Sequence, residues 1–144
     1  MTQEQTNSLI EHGARRYIIT ITVVLCTLLE LIDTTVVNVA TNTLMGNLGA
    51  TLSEVSWVIA SYAIANVIIV PMSGWLSSQF GRKIYFASSV AIFTFASLMC
   101  GLSGSIWTLV FWRFVQGIGG GALFATSQTI LKEIYPPEKI GMAM

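Results

Sequence analysis

The stretch Leu29–Ala40, LELIDTTVVNVA, puts two acids, Glu30 and Asp33, near the far end of an apolar run that begins at Tyr17. A charged group at the centre of a membrane helix costs roughly 3 kcal/mol on insertion scales, so such residues are seldom idle. One base, Arg113, is likewise set inside an apolar block, IWTLVFWRFVQG. Charges of this kind support two kinds of role. They can form a static pair that orients two helices, or a titratable site that faces a water-filled pathway. Glu30 and Asp33, at i and i+3, share one helix face. Two carboxylates of which only one has an arginine beside it differ in proton affinity. Glu30, with no obvious partner in the sequence, is then the candidate for exchanging a proton near neutral pH.

The elements that hold these residues are long and oily. Of 144 residues, 53% are hydrophobic and 10% charged, against about 25% charged in soluble domains. The formal net charge is zero, which gives no reason to expect a nucleic-acid partner. Cys26 and Cys100 lie within apolar blocks and read as buried structural thiols and not as a disulfide. The first block is too long and too acidic for a signal peptide. Four segments reach the roughly 20 residues that a helix needs to cross a bilayer: about 17–41, 55–76, 84–102 and 106–131. No strand-like alternation suggests a barrel, so the fold class is an all-α membrane protein with four transmembrane helices.

Direction follows from the bases. Arg15 and Arg16 precede the first span, Arg82 and Lys83 separate the second from the third, and Lys132 and Lys139 follow the fourth. The positive-inside rule then makes residues 1–16 a cytoplasmic tail and 17–144 a membrane domain. Trp57 and Trp107 fall near the outer ends of their spans, where aromatic belts form. Counted at 1.5 Å per residue, Asp33 and Arg113 both lie ~10 Å below the outer surface on antiparallel helices, so they are expected to touch. The closing YPPEKIGMAM breaks the fourth helix at Pro136–Pro137 and starts another apolar stretch, as in the first part of a longer protein.

Other polar and glycine positions carry two readings each. Asn38 and Asn66 serve either an interhelical hydrogen bond or contact with a substrate, and Gln116 joins them as a pathway candidate. The run RFVQGIGGGALFA is not a phosphate loop: no strand precedes it and no lysine follows. Gly117 and Gly121 instead make a small-xxx-small face for close helix packing, with sliding as an added possibility. In GWLSSQFGRKIYF, Gly74 and Gly81 permit a very short hairpin, with Arg82 and Lys83 at the membrane surface.

These features together resemble the major facilitator superfamily of secondary transporters. Its loop signature G-x-L-a-D-r-x-G-r-k is matched by Gly74, Leu76, Gly81, Arg82 and Lys83. Its fourth-span signature is matched by Leu109, Arg113, Gln116, Gly117 and Gly119. The first-span signature of drug:proton antiporters is matched by Asp33, Thr35 and the run Val36–Ala40, most like the fourteen-span EmrB/QacA-type branch. Ser78 replaces the loop aspartate, and Asn42 the usual proline, which lets the first helix run further. Glu30 lies outside the signature. The resemblance implies the larger part of one six-helix half of a two-half transporter, with Arg113 taking part in proton coupling and the loop Gly74–Lys83 acting as a conformational switch. It further implies drug-like substrates, protons and the lipid bilayer as partners. Some relatives in Gram-negative bacteria also use a periplasmic adaptor and an outer-membrane channel. The expected location is the inner or plasma membrane.

The working expectation is therefore a drug:proton antiporter. A transporter of a metabolite or siderophore on the same fold is the alternative, and a non-transporting four-span scaffold is the alternative from another class. An enzyme is not expected: no metal-ligand cluster or cofactor motif occurs, and His12 stands alone in a polar tail.

Overall fold

In a computed structural model the backbone is described for residues 3–134 and the side chains for 17–130. The expectations resting on His12, Arg15, Arg16, Lys132, Lys139 and Pro136–Pro137 fall outside the described side chains. Four helices follow one another: α1 (Gln3–Leu48), α2 (Leu52–Phe80), α3 (Arg82–Gly101) and α4 (Ile106–Ile134). All three connections are short, so neighbours in sequence run antiparallel.

The connections explain the helix ends. Between α1 and α2, Gly49 has φ +60° and Thr51 caps α2. The Thr51 hydroxyl accepts the Glu54 amide at 3.3 Å, while the Glu54 carboxylate accepts the Thr51 amide at 2.8 Å. This reciprocal capping box satisfies two of the amides that a helix start leaves open. The segment read from sequence as a loop, 42–54, is thus mostly helix: α1 continues through Asn42 to Leu48. Gly81 alone joins α2 to α3, at φ +82° and ψ +138°, a backbone region that side chains disfavour.

Helix α4 is the hub. It packs along α2 and α3, while α1 leans on α4 and α2 over a shorter stretch. At the end that carries the α1–α2 and α3–α4 connections, Val37, Ala50, Val55, Val58, Ile106 and Leu109 form one apolar cluster. Tyr62, Phe93 and Leu123 form a second, deeper one. Large apolar side chains on the outside, among them Ile18, Val39, Val67, Phe95 and Leu98, stay exposed. Such a surface suits hydrocarbon, where backbone groups must be satisfied within each helix.

Helices α1 from Tyr17, α2 and α3 are each long and apolar enough to cross a membrane. Helix α4 has 29 residues, but Arg113, Gln116 and its glycines dilute its apolar character and are turned inward. Hydroxyls in these helices return to their own carbonyls, as in Thr27, Thr35, Ser89 and Thr126 at 2.7–2.9 Å, which hides polar groups from an apolar surrounding. Cys26 and Cys100 are free and half-buried.

Candidate functional site

The glycines of α4 set the spacing on which the site depends. A Cβ built on Gly117 would stand 2.6 Å from the Tyr62 carbonyl oxygen and 2.8 Å from the Ala65 Cβ. At Gly121 it would collide with Ile69 and lie 2.6 Å from Asn66 Oδ1. The expected small-residue face is therefore the seam between α4 and α2. Two further glycines extend it beyond what their spacing indicated. Gly119 admits the backbone of α3 at Phe93, 2.7 Å from where its Cβ would be. Gly120 admits the Tyr62 hydroxyl at 2.6 Å. Gly119 and Gly120 thus serve two different neighbours, something a run of glycines in sequence does not reveal.

Above this seam Arg113 turns toward α1. Its Nη1 donates to Asp33 Oδ2 at 2.6 Å, with the two side chains 9% and 15% exposed. A short charge-assisted bond of this kind is roughly twice as strong as a neutral one. It also lets a carboxylate and a guanidinium share an apolar surrounding that neither tolerates alone. The contact expected from the matching depths is present. Arg113 Nε has no partner among the described residues, so the guanidinium keeps a donor to spare.

Glu30 does have a neighbour that the sequence did not indicate. The Tyr62 hydroxyl points to its Oε1 at 3.5 Å, longer than the roughly 2.8 Å of an ordinary O–H···O bond. The two acids share a face but look into different spaces. Glu30 lines a groove between α1 and α2 with Thr27, Thr34, Asn66, Pro71 and Phe124. Asp33 lines a groove between α1 and α3 with Phe93, Thr94, Ser97 and Leu98. Two polar pairs, Asp33 with Arg113 and Glu30 with Tyr62, therefore lie along the border of α1.

The three polar pathway candidates separate. Asn38 is exposed and lines a cavity of about 50 Å³ with Thr34, Val37, Val58, Ile59, Tyr62 and Arg113, beside the ion pair. Asn66 is half-buried in the Glu30 groove, and its Nδ2 donates to the Tyr62 carbonyl of its own helix at 3.2 Å. Gln116 is fully buried. Its Oε1 accepts the Cys100 thiol at 3.5 Å, and it faces α3 and neither groove.

The connection between α2 and α3 also differs in detail from its reading in sequence. Gly81 makes the whole turn, and Tyr85 N–H returns to its carbonyl at 3.0 Å. Gly74 does not take part: it lies inside α2, with open space around it among the described residues. It lines a groove of mixed character with Ser73, Ser77, Arg82, Thr126 and Thr129. Ser78 Oγ donates to the Trp75 carbonyl at 2.7 Å within its own helix, and Lys83 is exposed at the start of α3. A buried Ser73–Tyr85 contact at 3.0 Å ties α2 to α3. Like Tyr62, it carried no signal in sequence, because one tyrosine or serine in an apolar helix resembles packing.

A bundle of apolar helices with an ion pair and a second acid at its inner border defines a multi-pass membrane protein with a polar site within its helices. Residues 23–144 match the family model of the Major Facilitator Superfamily, and the chain belongs to that family. It is 42% identical to the multidrug export protein EmrB of Escherichia coli (strain K12) over 92% of its own length and 26% of that protein's. It is 37% identical to the fatty acid resistance protein FarB of Neisseria gonorrhoeae, with the same coverage. Against multidrug resistance protein 3 of Bacillus subtilis it is also 37% identical, over 79% of its length and 22% of the relative's. The chain thus spans about a quarter of the length of the curated relatives it matches. No solved structure gives a significant match.

Proposed function

We propose that this chain is part of a proton-coupled multidrug efflux transporter, a drug:proton antiporter of the inner or plasma membrane that works by alternating access. The observation that carries the reading is the 2.6 Å Asp33–Arg113 pair with Glu30 beside it, at the border of the helix that is held least. Family membership and the multidrug export proteins among its relatives support the substrate class. Protonation of Asp33 or Glu30 removes a charge, changes the pairing with Arg113, and shifts the balance between inward- and outward-open states. Substrate and proton then use one site in turn. Asn38 and Asn66, on the cavity and the groove that flank this site, are the proposed substrate contacts. Gln116 is proposed to act from behind, through its neighbour Arg113.

In this reading all four helices span the membrane, α4 included, with Arg113, Gln116 and its glycines turned inward and Trp107, Phe111 and Phe124 on its outer side. The N-terminal tail and the α2–α3 turn face the cytoplasm. The segment Gly74–Lys83 is the proposed switch, with Ser78, whose proton goes to the Trp75 carbonyl of its own helix, left able to accept a hydrogen bond where the family signature has a charge. The partners are amphipathic small molecules, protons and the bilayer. A periplasmic adaptor and an outer-membrane channel join them if the host has two membranes.

The test is proton release on drug addition by the purified full-length protein in detergent. Release by the parent that disappears in Asp33→Asn is the expected result. Release that persists would make Asp33 a structural partner of Arg113 and leave Glu30 as the exchanging group. No release with either a cationic or an anionic amphipath would overturn the antiport reading.

A further inference from the structure

Tyr62 is held by three helices. The residue is 8% exposed, within the cluster shared with Phe93 and Leu123. Its hydroxyl lies over the bare backbone of α4: a Cβ at Gly120 would stand 2.6 Å from the oxygen and 3.3 Å from Cζ. Phe93 of α3 closes the same seat, 3.5 Å from that point. The carbonyl of Tyr62 is taken by Asn66 on its own helix. The free end of the residue faces α1, where Glu30 Oε1 lies 3.5 Å away. The other charged groups near the hydroxyl are Asp33 on α1 and Arg113 on α4, with the Asn66 side chain on α2. From α3 it meets an apolar ring.

This asymmetry suggests a role beyond filling space. The tyrosine is packed between the bare backbone at Gly120 of α4 and the Phe93 ring of α3, whereas Glu30 sits half-buried on α1, the helix packed least against the others. We propose that Tyr62 is the positioning residue for Glu30: its hydroxyl, seated over Gly120, is the fixed donor onto which the charged carboxylate closes at the wall of the α1–α2 groove. The proposal rests on the reading of these charges as a proton site. A small swing of the Glu30 side chain brings 3.5 Å down to bonding distance. Protonation removes the charge assistance that makes such a bond strong, and the carboxyl then turns to the groove, beside Thr34 and Asn66. One contact thereby couples the protonation of Glu30 to how α1 rests on α2. Gly120 is needed because any side chain there would occupy the place of the hydroxyl.

The experiment is an infrared titration of carboxyl groups in the full-length protein in lipid vesicles, with the Glu30 band assigned by its loss in Glu30→Gln. Tyr62→Phe keeps the ring and its packing. It is expected to raise the midpoint of the Glu30 band by about one pH unit, a tenfold gain in proton affinity, because the charged form loses a donor. Gly120→Ala is expected to shift the band the same way by displacing the hydroxyl. In the Glu30→Gln background, Tyr62→Phe should leave the remaining bands in place. A Glu30 midpoint that Tyr62→Phe does not move overturns the positioning role. Proton release on adding ethidium or laurate, measured on the same samples, tests coupling separately. A shifted band in a protein that releases no protons keeps the role of Tyr62 and discards antiport.

Discussion

The α2–α4 seam and the border of α1 solve opposite problems within one small bundle. Along the seam the helices approach until backbone meets backbone: at Gly117 and Gly119 the nearest atoms are main-chain atoms of α2 and α3. Along the middle of α1, short of the apolar cluster that takes Val37, Leu44, Met45 and Leu48, the polar contacts are side-chain tips, Asp33 with Arg113 and Glu30 with Tyr62, and grooves open on both sides. Apolar side chains gain little by leaving lipid for another apolar surface, so helices in a bilayer associate through close packing and polar contacts. The seam uses the first and α1 the second. Close packing is indifferent to protons, and polar contacts are not. In the proposed mechanism, the charged middle of α1 is therefore the part that responds when a proton arrives, while the close-packed seam does not.

Breaking the polar contact should have the largest effect. Asp33→Leu leaves Arg113 buried without a counter-charge, which is expected to destabilise the fold by ~3–5 kcal/mol. Thermal unfolding of the full-length protein in detergent would read this. Replacing both partners, Asp33→Leu with Arg113→Leu, should restore most of the stability, since a well-packed apolar pair often equals a buried ion pair. Drug efflux should stay absent in the double variant. Recovery of efflux along with stability would reduce the pair to an orienting device and erase the contrast with the seam.

Next come the seam glycines. Gly117→Ala forces a Cβ against the Tyr62 carbonyl, and overpacking of this sort costs ~1–3 kcal/mol. The same unfolding measurement should show the loss with the pH dependence of transport unchanged. A smaller effect is expected at the short tether of α1. Thr51→Ala removes the hydroxyl side of the capping box and should cost ~1 kcal/mol, with little change in efflux.

What could be read from sequence follows the same divide. Helix number and order came from apolar length, and the Asp33–Arg113 contact from counting depth along antiparallel helices, because both are one-dimensional properties. The capping box was also available, in the spacing of Thr51 and Glu54, yet the polar composition of 42–54 read as a loop. Tyr62 and the division of labour among Gly117, Gly119, Gly120 and Gly121 were not accessible. They depend on how α4 is rotated against two neighbours at once, and spacing along one helix does not encode that. Glu30 was noticed for its charge, but its partner is an aromatic that looks like core.

Gly74 gives the smallest expected change in stability and sharpens the contrast most. It sits inside α2, where a Cβ built on it would meet nothing within 4 Å among the described residues, and still matches the family loop signature. A glycine in a helix interior costs roughly 0.5–1 kcal/mol relative to alanine. If packing within this bundle were its purpose, as at Gly117, substitution would be costly. Here Gly74→Ala should instead raise stability by up to ~1 kcal/mol. If the proposed switch role holds, efflux should nevertheless fall several-fold, because the open face of Gly74 lies along the groove with Arg82, Ser77 and Thr129, which a side chain at 74 would narrow. Stability and transport would then move in opposite directions at one residue. Measuring both on the same variant separates a glycine that fixes helices together from one that keeps a surface clear for motion. A rise in stability with efflux unchanged would assign Gly74 to neither role.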